Sequence, residues 1–282
     1  MSTTNPAVNV QIKGSADKPN LALLHGWGLN SAIWAPVETE LANHFKLWMV
    51  DLPGFGGSPW HGESDFYKAN NWLAENLFPR IGQPCHLLGW SLGGLIATDL
   101  AVRHPEHIKS LTLVASSPKF VSSPEPGDSL EPGDSPEPEN SPEPDRSHNW
   151  PGIKPQLLEE FTSQLEHDFA ATVDRFLSVQ ALGSPKAREE IKTMRTLLKS
   201  RPAPAPEALR AGLQWLAEVD LRQQQAEYSP VQRIFGRRDS LVPAALATQA
   251  GDIVFQKSAH APFITEPELF VQTVRNFIMS IK

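Results

Sequence analysis

The sequence predicts an α/β protein: a mostly parallel sheet with helices on both faces, interrupted late in the chain by a block of helices. Three observations carry this. Short β-type runs alternate with helical periodicities through the first 121 residues; four helical segments then follow with no strand between them; and β/α alternation resumes near the C-terminus. In chain order, the first strand candidates are Val8–Ile12, Leu21–Leu24, Leu47–Val50, Cys85–Leu88 and Leu111–Ala115. Each is a short β-type run. Between them, Asp65–Leu77 and Leu92–His104 show the helical period, and Pro105 stops the second. Later, Gln156–Phe169, Ala171–Leu182, Pro185–Ser200 and Glu207–Ala217 read as consecutive helices, expected to form a lid over the strand ends. Strands Val231–Phe235 and Ile253–Phe255 and a final helix Glu266–Met279 complete the pattern.

The 282 residues, 40% of them hydrophobic, are enough for one large core with an insert. The net charge of −7 is unevenly placed. Residues 122–145, "SSPEPGDSLEPGDSPEPENSPEPD", hold eight acids and no base, which leaves +1 for the rest. That stretch has too few apolar side chains to offset its conformational entropy, so it reads as a disordered insert. The expected organisation is a core in 1–121 and 229–282, an acidic proline-rich insert in 122–149, and a helical lid in 150–228.

Several classes are excluded early. Cys85 is the single cysteine, and no H-E-x-x-H pair is present, so no disulfide framework, metal or other cofactor is expected. No apolar run approaches the roughly 18 residues of a membrane span. The opening "MSTTNPAVNVQIKG" lacks a basic-then-apolar leader. A cytoplasmic monomer that binds neither nucleic acid nor membrane is the expectation.

The chemistry centres on "LLGWSLGGL", Leu87–Leu95, where an apolar strand gives way to a helix. A nucleophile on so sharp a turn needs small neighbours, and Gly89 and Gly93 flank Ser91 at two residues on either side. The turn also leaves the Leu92 N–H at a helix start, where negative charge is favoured. Serine needs a base and the base an orienting acid, in the chain order Ser, Asp or Glu, His. His260, in "KSAHAPFITEP", lies beyond the lid and the later strands. Asp239, in "VQRIFGRRDSLVP", follows the preceding strand; Asp220 and Asp252 are its rivals. In "LALLHGWGLN" the turn after a strand can aim the Trp27 N–H inward, to share an oxyanion with Leu92. His25 is expected to support that loop, and "DLPGFGGSP" to be a structural turn.

Together "LLHGWGLN", "VDLPGFGGS", "GWSLGGLIA", "ASSPKF", "WPGIKP", "VDLRQ" and "SAHAPFI" resemble the pimeloyl-[acyl-carrier protein] methyl ester carboxylesterases of biotin synthesis, which are α/β-hydrolases. The resemblance spans nearly all of the chain outside 122–147. It implies a triad of Ser91, Asp239 and His260, with Trp27 and Leu92 at the oxyanion. It also implies a substrate-lining lid segment at Phe176, Leu177, Ser178, Val179 and Gln180. The implied reaction is hydrolysis of a methyl ester on an acyl chain held by an acidic carrier protein.

A surface for such a carrier is expected on the lid. Arg188, Lys192, Arg195 and Lys199 recur at one helical face, with Arg175 nearby; a solvated face with a Glu189–Lys192 pair is the plainer alternative. Rival functions are a broad-specificity short-chain esterase or thioesterase, another lidded hydrolase acting on C–C bonds, or a ligand receptor on the same fold with an idle triad.

Overall fold

A computed structural model describes residues 7–123, 150–224 and 230–281. Most of the acidic stretch, 124–149, lies outside the described residues, as does 225–229. Seven strands form one sheet in the order β1-β3-β2-β4-β5-β6-β7. They are β1 Val10–Lys13, β2 Asn20–Leu24, β3 Lys46–Val50, β4 Cys85–Trp90, β5 Ile108–Val114, β6 Val231–Gly236 and β7 Ile253–Phe255. Every pairing is parallel except that of the edge strand β1, which runs antiparallel to β3 with Val10 opposite Val50.

Alternation along β2 shows why helices cover both faces. Ala22 and Leu24 join one apolar cluster with α2 (Phe66–Ile81) and α3 (Leu92–Arg103). Leu21 and Leu23 join the other, with α1 (Ala35–Ala42) and α9 (Pro267–Ser280). Helix α1 escapes the sequence reading because its eight residues span barely two turns, too few to display a period. A one-turn helix α8, Pro262–Thr265, precedes α9.

Four further helices, α4 Pro155–His167, α5 Phe169–Gln180, α6 Ala187–Leu198 and α7 Pro206–Glu218, form the helical insert between β5 and β6. Helix α4 packs on α5 and α7, and α5 on α6. Where the chain leaves and rejoins the sheet layer, isolated bridges pair Val121 with Ile153 and Lys119 with Asp220. Among the described residues no helix is long and apolar enough to cross a membrane.

Candidate active site

Strand β4 ends at Trp90, and Ser91 turns the chain into α3 with φ 55° and ψ −122°. Among the described residues only Ser91 and Ala115 combine a side chain with positive φ. Such a conformation costs on the order of 1–3 kcal/mol and persists only where the surroundings enforce it. They do so by close packing. A Cβ at Gly89 would overlap the Gly93 backbone, and one at Gly93 would overlap the carbonyls of Leu24 and His25. The glycines let helix, elbow and neighbouring strand approach to backbone contact.

Two other strand ends deliver the partners. Asp239 follows β6 and His260 follows β7, and Gly236 lets the two loops meet, since a Cβ there would strike the Ala259 carbonyl. His260 Nε2 lies 2.8 Å from Ser91 Oγ, and His260 Nδ1 lies 2.8 Å from Asp239 Oδ2. A carboxylate only accepts, so Nδ1 carries the proton and Nε2 is free to accept from the serine hydroxyl. The other oxygen of Asp239 accepts from the Leu241 and Val242 N–H groups at 2.8 and 3.1 Å, which fixes the carboxylate plane. All three side chains are buried. The rival acids are committed elsewhere: Asp252 pairs with Arg233 at 2.7 Å, and Asp220 with Arg222 at 2.8 Å.

Two contacts that sequence reasoning did not find complete the setting of His260. Trp90 Nε1 donates to the His260 carbonyl at 2.7 Å, and the His260 N–H donates to the carbonyl of Gln180, at the end of lid helix α5, at 3.2 Å. Trp90 stood inside the quoted elbow motif, but its indole partner lies 170 residues away and left no local signal.

The turn after β2 lies against Ser91. A Cβ at Gly26 would stand 3.2 Å from Ser91 Cβ. Neither the Trp27 nor the Leu92 N–H donates to any group among the described residues. The Trp27 ring is pinned from above, its Nε1 donating to the Leu209 carbonyl of α7 at 2.9 Å, with Phe176 of α5 packed at 4.7 Å between centroids. Gly212 of α7 rests on it: a Cβ there would lie 2.6 Å from the Trp27 ring and 3.3 Å from Leu92.

His25 binds locally on both nitrogens: Nδ1 meets the Gly26 carbonyl at 2.8 Å, and Nε2 accepts from the Leu52 N–H at 3.0 Å. Burial holds this imidazole below its ordinary range. Asp51, in the "DLPGFGGSP" turn, accepts from the Ser31 and Gly57 N–H groups at 2.6 and 2.8 Å. Burial alone would raise its pKa, but His25 and these donors outweigh that and hold the carboxyl below its usual range. Burial pushes the Cys85 thiol up to about 12, which removes it as a nucleophile.

Of the lid segment 176–180, Phe176, Leu177 and Gln180 are buried, and both amide atoms of Gln180 lack a hydrogen-bond partner. Ser178 and Val179 are only partly buried, and the Ser178 hydroxyl donates to the Asp174 carbonyl at 3.0 Å. The structure does not bring these two to Ser91 by any hydrogen bond or ring contact. The cationic face is more engaged than the sequence suggested. Arg195 forks onto Asp174, with one contact at 2.6 Å, and Arg175 pairs with Glu160 at 2.9 Å. Arg188, Lys192 and Lys199 are exposed with no acidic partner among the described residues, so the Glu189–Lys192 pair does not form.

Helix α6 is anchored by a buried carboxylate. Glu190 Oε1 accepts from the hydroxyls of Ser184 and of Thr265, the latter at 2.7 Å, and its Oε2 is unpartnered. Thr265 ends the short helix that follows His260, so this contact ties the lid to the histidine loop.

A seven-stranded sheet carrying a buried Ser–His–Asp chain at its carboxyl rim defines the class: a hydrolase of the α/β-hydrolase fold. A family model for that fold matches residues 19–267. The chain is 43% identical over 279 residues to the pimeloyl-[acyl-carrier protein] methyl ester esterase of Aeromonas salmonicida, covering 96% of this chain and all of that one. It is 38% identical to the protein of that name in Vibrio cholerae, covering 95% and 96%. Among solved structures, the esterase EaEST of Exiguobacterium antarcticum superposes with a TM-score of 0.77 at 18% identity, over 98% of this chain and 97% of that one, a likeness of fold. The chain belongs to the pimeloyl-[acyl-carrier protein] methyl ester esterase family.

Proposed function

We propose that the protein hydrolyses the methyl ester of pimeloyl-[acyl-carrier protein], releasing methanol and leaving the free carboxylate on the carrier. The observation that carries this is the full-length similarity to esterases of that name, in a chain whose Ser91, His260 and Asp239 stand in hydrogen-bond contact. Ser91 Oγ attacks the ester carbonyl carbon while His260 Nε2 takes its proton. The Trp27 and Leu92 N–H groups receive the oxyanion, and His260 returns the proton to the departing methoxide. Water then attacks the acyl-enzyme by the same route, while Asp239 holds the imidazole in its working tautomer.

Ser91 is 2% exposed and His260 0%, so the ester has to leave bulk water to reach them. Phe176, Leu177 and Gln180 form the apolar and amide wall offered to the acyl chain. Arg188, Lys192 and Lys199 offer free positive charge to an acidic carrier, and Arg175 and Arg195 can join them, because exposed ion pairs are cheaply exchanged. The working form is taken to be a cytoplasmic monomer. Incubation with the methyl ester on its carrier is expected to release one methanol per carboxylate formed, and to support growth of a biotin-requiring strain that lacks its own esterase. Release of the acyl group from the carrier instead, by thioester cleavage, would replace this reading with a thioesterase.

A further inference from the structure

The spacing around Ser91 accounts for Gly89 and Gly93 but not for the glycine that follows them. A Cβ on Gly94 would stand 2.4 Å from both Cβ and Oγ of Ser116. Its absence lets the loop after β5 lie directly on the first turn of α3. Ser116 is buried there, and its hydroxyl donates to the Ser91 carbonyl at 3.0 Å. Two residues earlier in the same chain, the Val114 carbonyl accepts from the Ser91 N–H at 3.0 Å. The end of β5 thus grips both main-chain polar groups of Ser91.

To offer a carbonyl and then a hydroxyl to the two sides of one residue, the chain has to twist between them. Ala115 does so, at φ 43°. Ser91 and Ala115, which alone among the described residues join a side chain to positive φ, each follow one of the last paired residues, Trp90 and Val114. Ala115 is held in turn by β6, its N–H donating to the Ile234 carbonyl at 2.8 Å. Strain at two facing positions persists only where the surroundings enforce it. The Ser91 carbonyl does not need Ser116 for satisfaction, since the Gly94 and Leu95 N–H groups already donate to it at 2.8 and 3.2 Å. The hydroxyl adds a bond from outside the helix, which ties that carbonyl to the sheet as well as to α3. Resting on the reading of Ser91 as the nucleophile, we propose that Ser116 is a positioning residue. Its hydroxyl fixes the rotation of the elbow, so that Ser91 Oγ stays 2.8 Å from His260 Nε2. A nucleophile that is bound in the wrong place loses rate rather than substrate affinity.

The test measures hydrolysis of p-nitrophenyl acetate and the rate at which a fluorophosphonate labels Ser91. In S116A, kcat and the labelling rate should fall together by about tenfold, with KM unchanged. The pH midpoint of kcat should also hold, because His260 and Asp239 are untouched. The melting temperature should drop by only a few degrees, since two backbone donors still serve the Ser91 carbonyl. S116C keeps the shape of the side chain with a weaker donor, so it should fall as well, and it carries the test if S116A does not fold. Unchanged kcat in S116A, a defect confined to KM, or full activity in S116C overturns the proposal. A shifted pH midpoint does the same, by assigning the hydroxyl to the histidine instead. Wild-type protein that hydrolyses the ester but is not labelled at Ser91 overturns the reading of Ser91 as nucleophile, and this proposal with it.

Discussion

The rim of the sheet and the lid above it are built on opposite principles. At the rim, backbone meets backbone: Gly89, Gly93 and Gly236 each stand where one added carbon would overlap a carbonyl or the chain itself. Every polar atom of the Asp239–His260–Ser91 chain has a partner among the described residues. In the lid, α6 buries only Glu190 and Met194, its cations face outward, and a 660 Å³ cavity lies between α4 and α7. Chemistry demands atoms placed to a fraction of an ångström, so it sits where packing leaves no alternative. The tethered substrate proposed for this chain would have to enter and leave, and the contacts proposed for it fall on the lid helices rather than on the rim. Trp27 is where the two regimes touch, with its backbone in the rim and its ring under α7.

The largest expected effect breaks the rim alone. Ser91→Ala should lower kcat by about a millionfold with p-nitrophenyl and methyl esters, while the melting temperature stays within a few degrees. Comparable turnover in that variant would end the division drawn here.

Gly212→Ala probes the contact between the regions. The added methyl presses on the buried Trp27 ring, so kcat/KM should fall about tenfold, and overpacking of about 1–3 kcal/mol should outweigh the roughly 1 kcal/mol by which helix propensity favours alanine. Steady-state kinetics and thermal melting should therefore both fall. If both hold, α7 does not rest on the Trp27 turn in the working protein.

Glu190→Ala tests how the lid is fastened. It strips the Ser184 and Thr265 hydroxyls of their acceptor and should cost about 1–3 kcal/mol in urea unfolding. Glu190→Gln, which can still accept from both, should recover most of that loss. Equal behaviour of the two would mean the carboxylate is not the fastening.

An effect seen only in acid belongs to the core. Burial, and secondarily Lys109, lower the His86 pKa from its ordinary 6.5 to about 4. Its neutral form is therefore favoured by folding, and the stability this contributes is present above pH 6.5 and is lost as pH falls toward 4. His86→Asn should flatten that part of the stability–pH curve. An unchanged slope would place the acid sensitivity elsewhere, with Asp51 the next candidate at lower pH.

Much of the site was legible because its signals are local. The spacing around Ser91 announces a tight turn, and the order Ser91, Asp239, His260 follows from which loops succeed which strands. Gly212 was also visible as a glycine inside a helical pattern, though nothing nearby said what it approached. The Trp90 indole, the Gln180 carbonyl and the Glu190–Thr265 contact had no such mark. Each joins residues between 75 and 170 positions apart, or uses a main-chain group that every residue possesses. The pairing of Arg195 lacked a local mark for the same reason: it looks free along α6, and its partner Asp174 is on α5.

The sequence alone determined the order of the strands and of most helices, the tight turn at Ser91 and the three polar side chains that meet there, because these depend on neighbours a few residues apart. Tertiary structure decided which cations stay unpaired, how α7 sits on Trp27, and that Ser91 is buried. Those outcomes depend on the distance between helices, and that distance is set by side-chain packing, which no local pattern encodes.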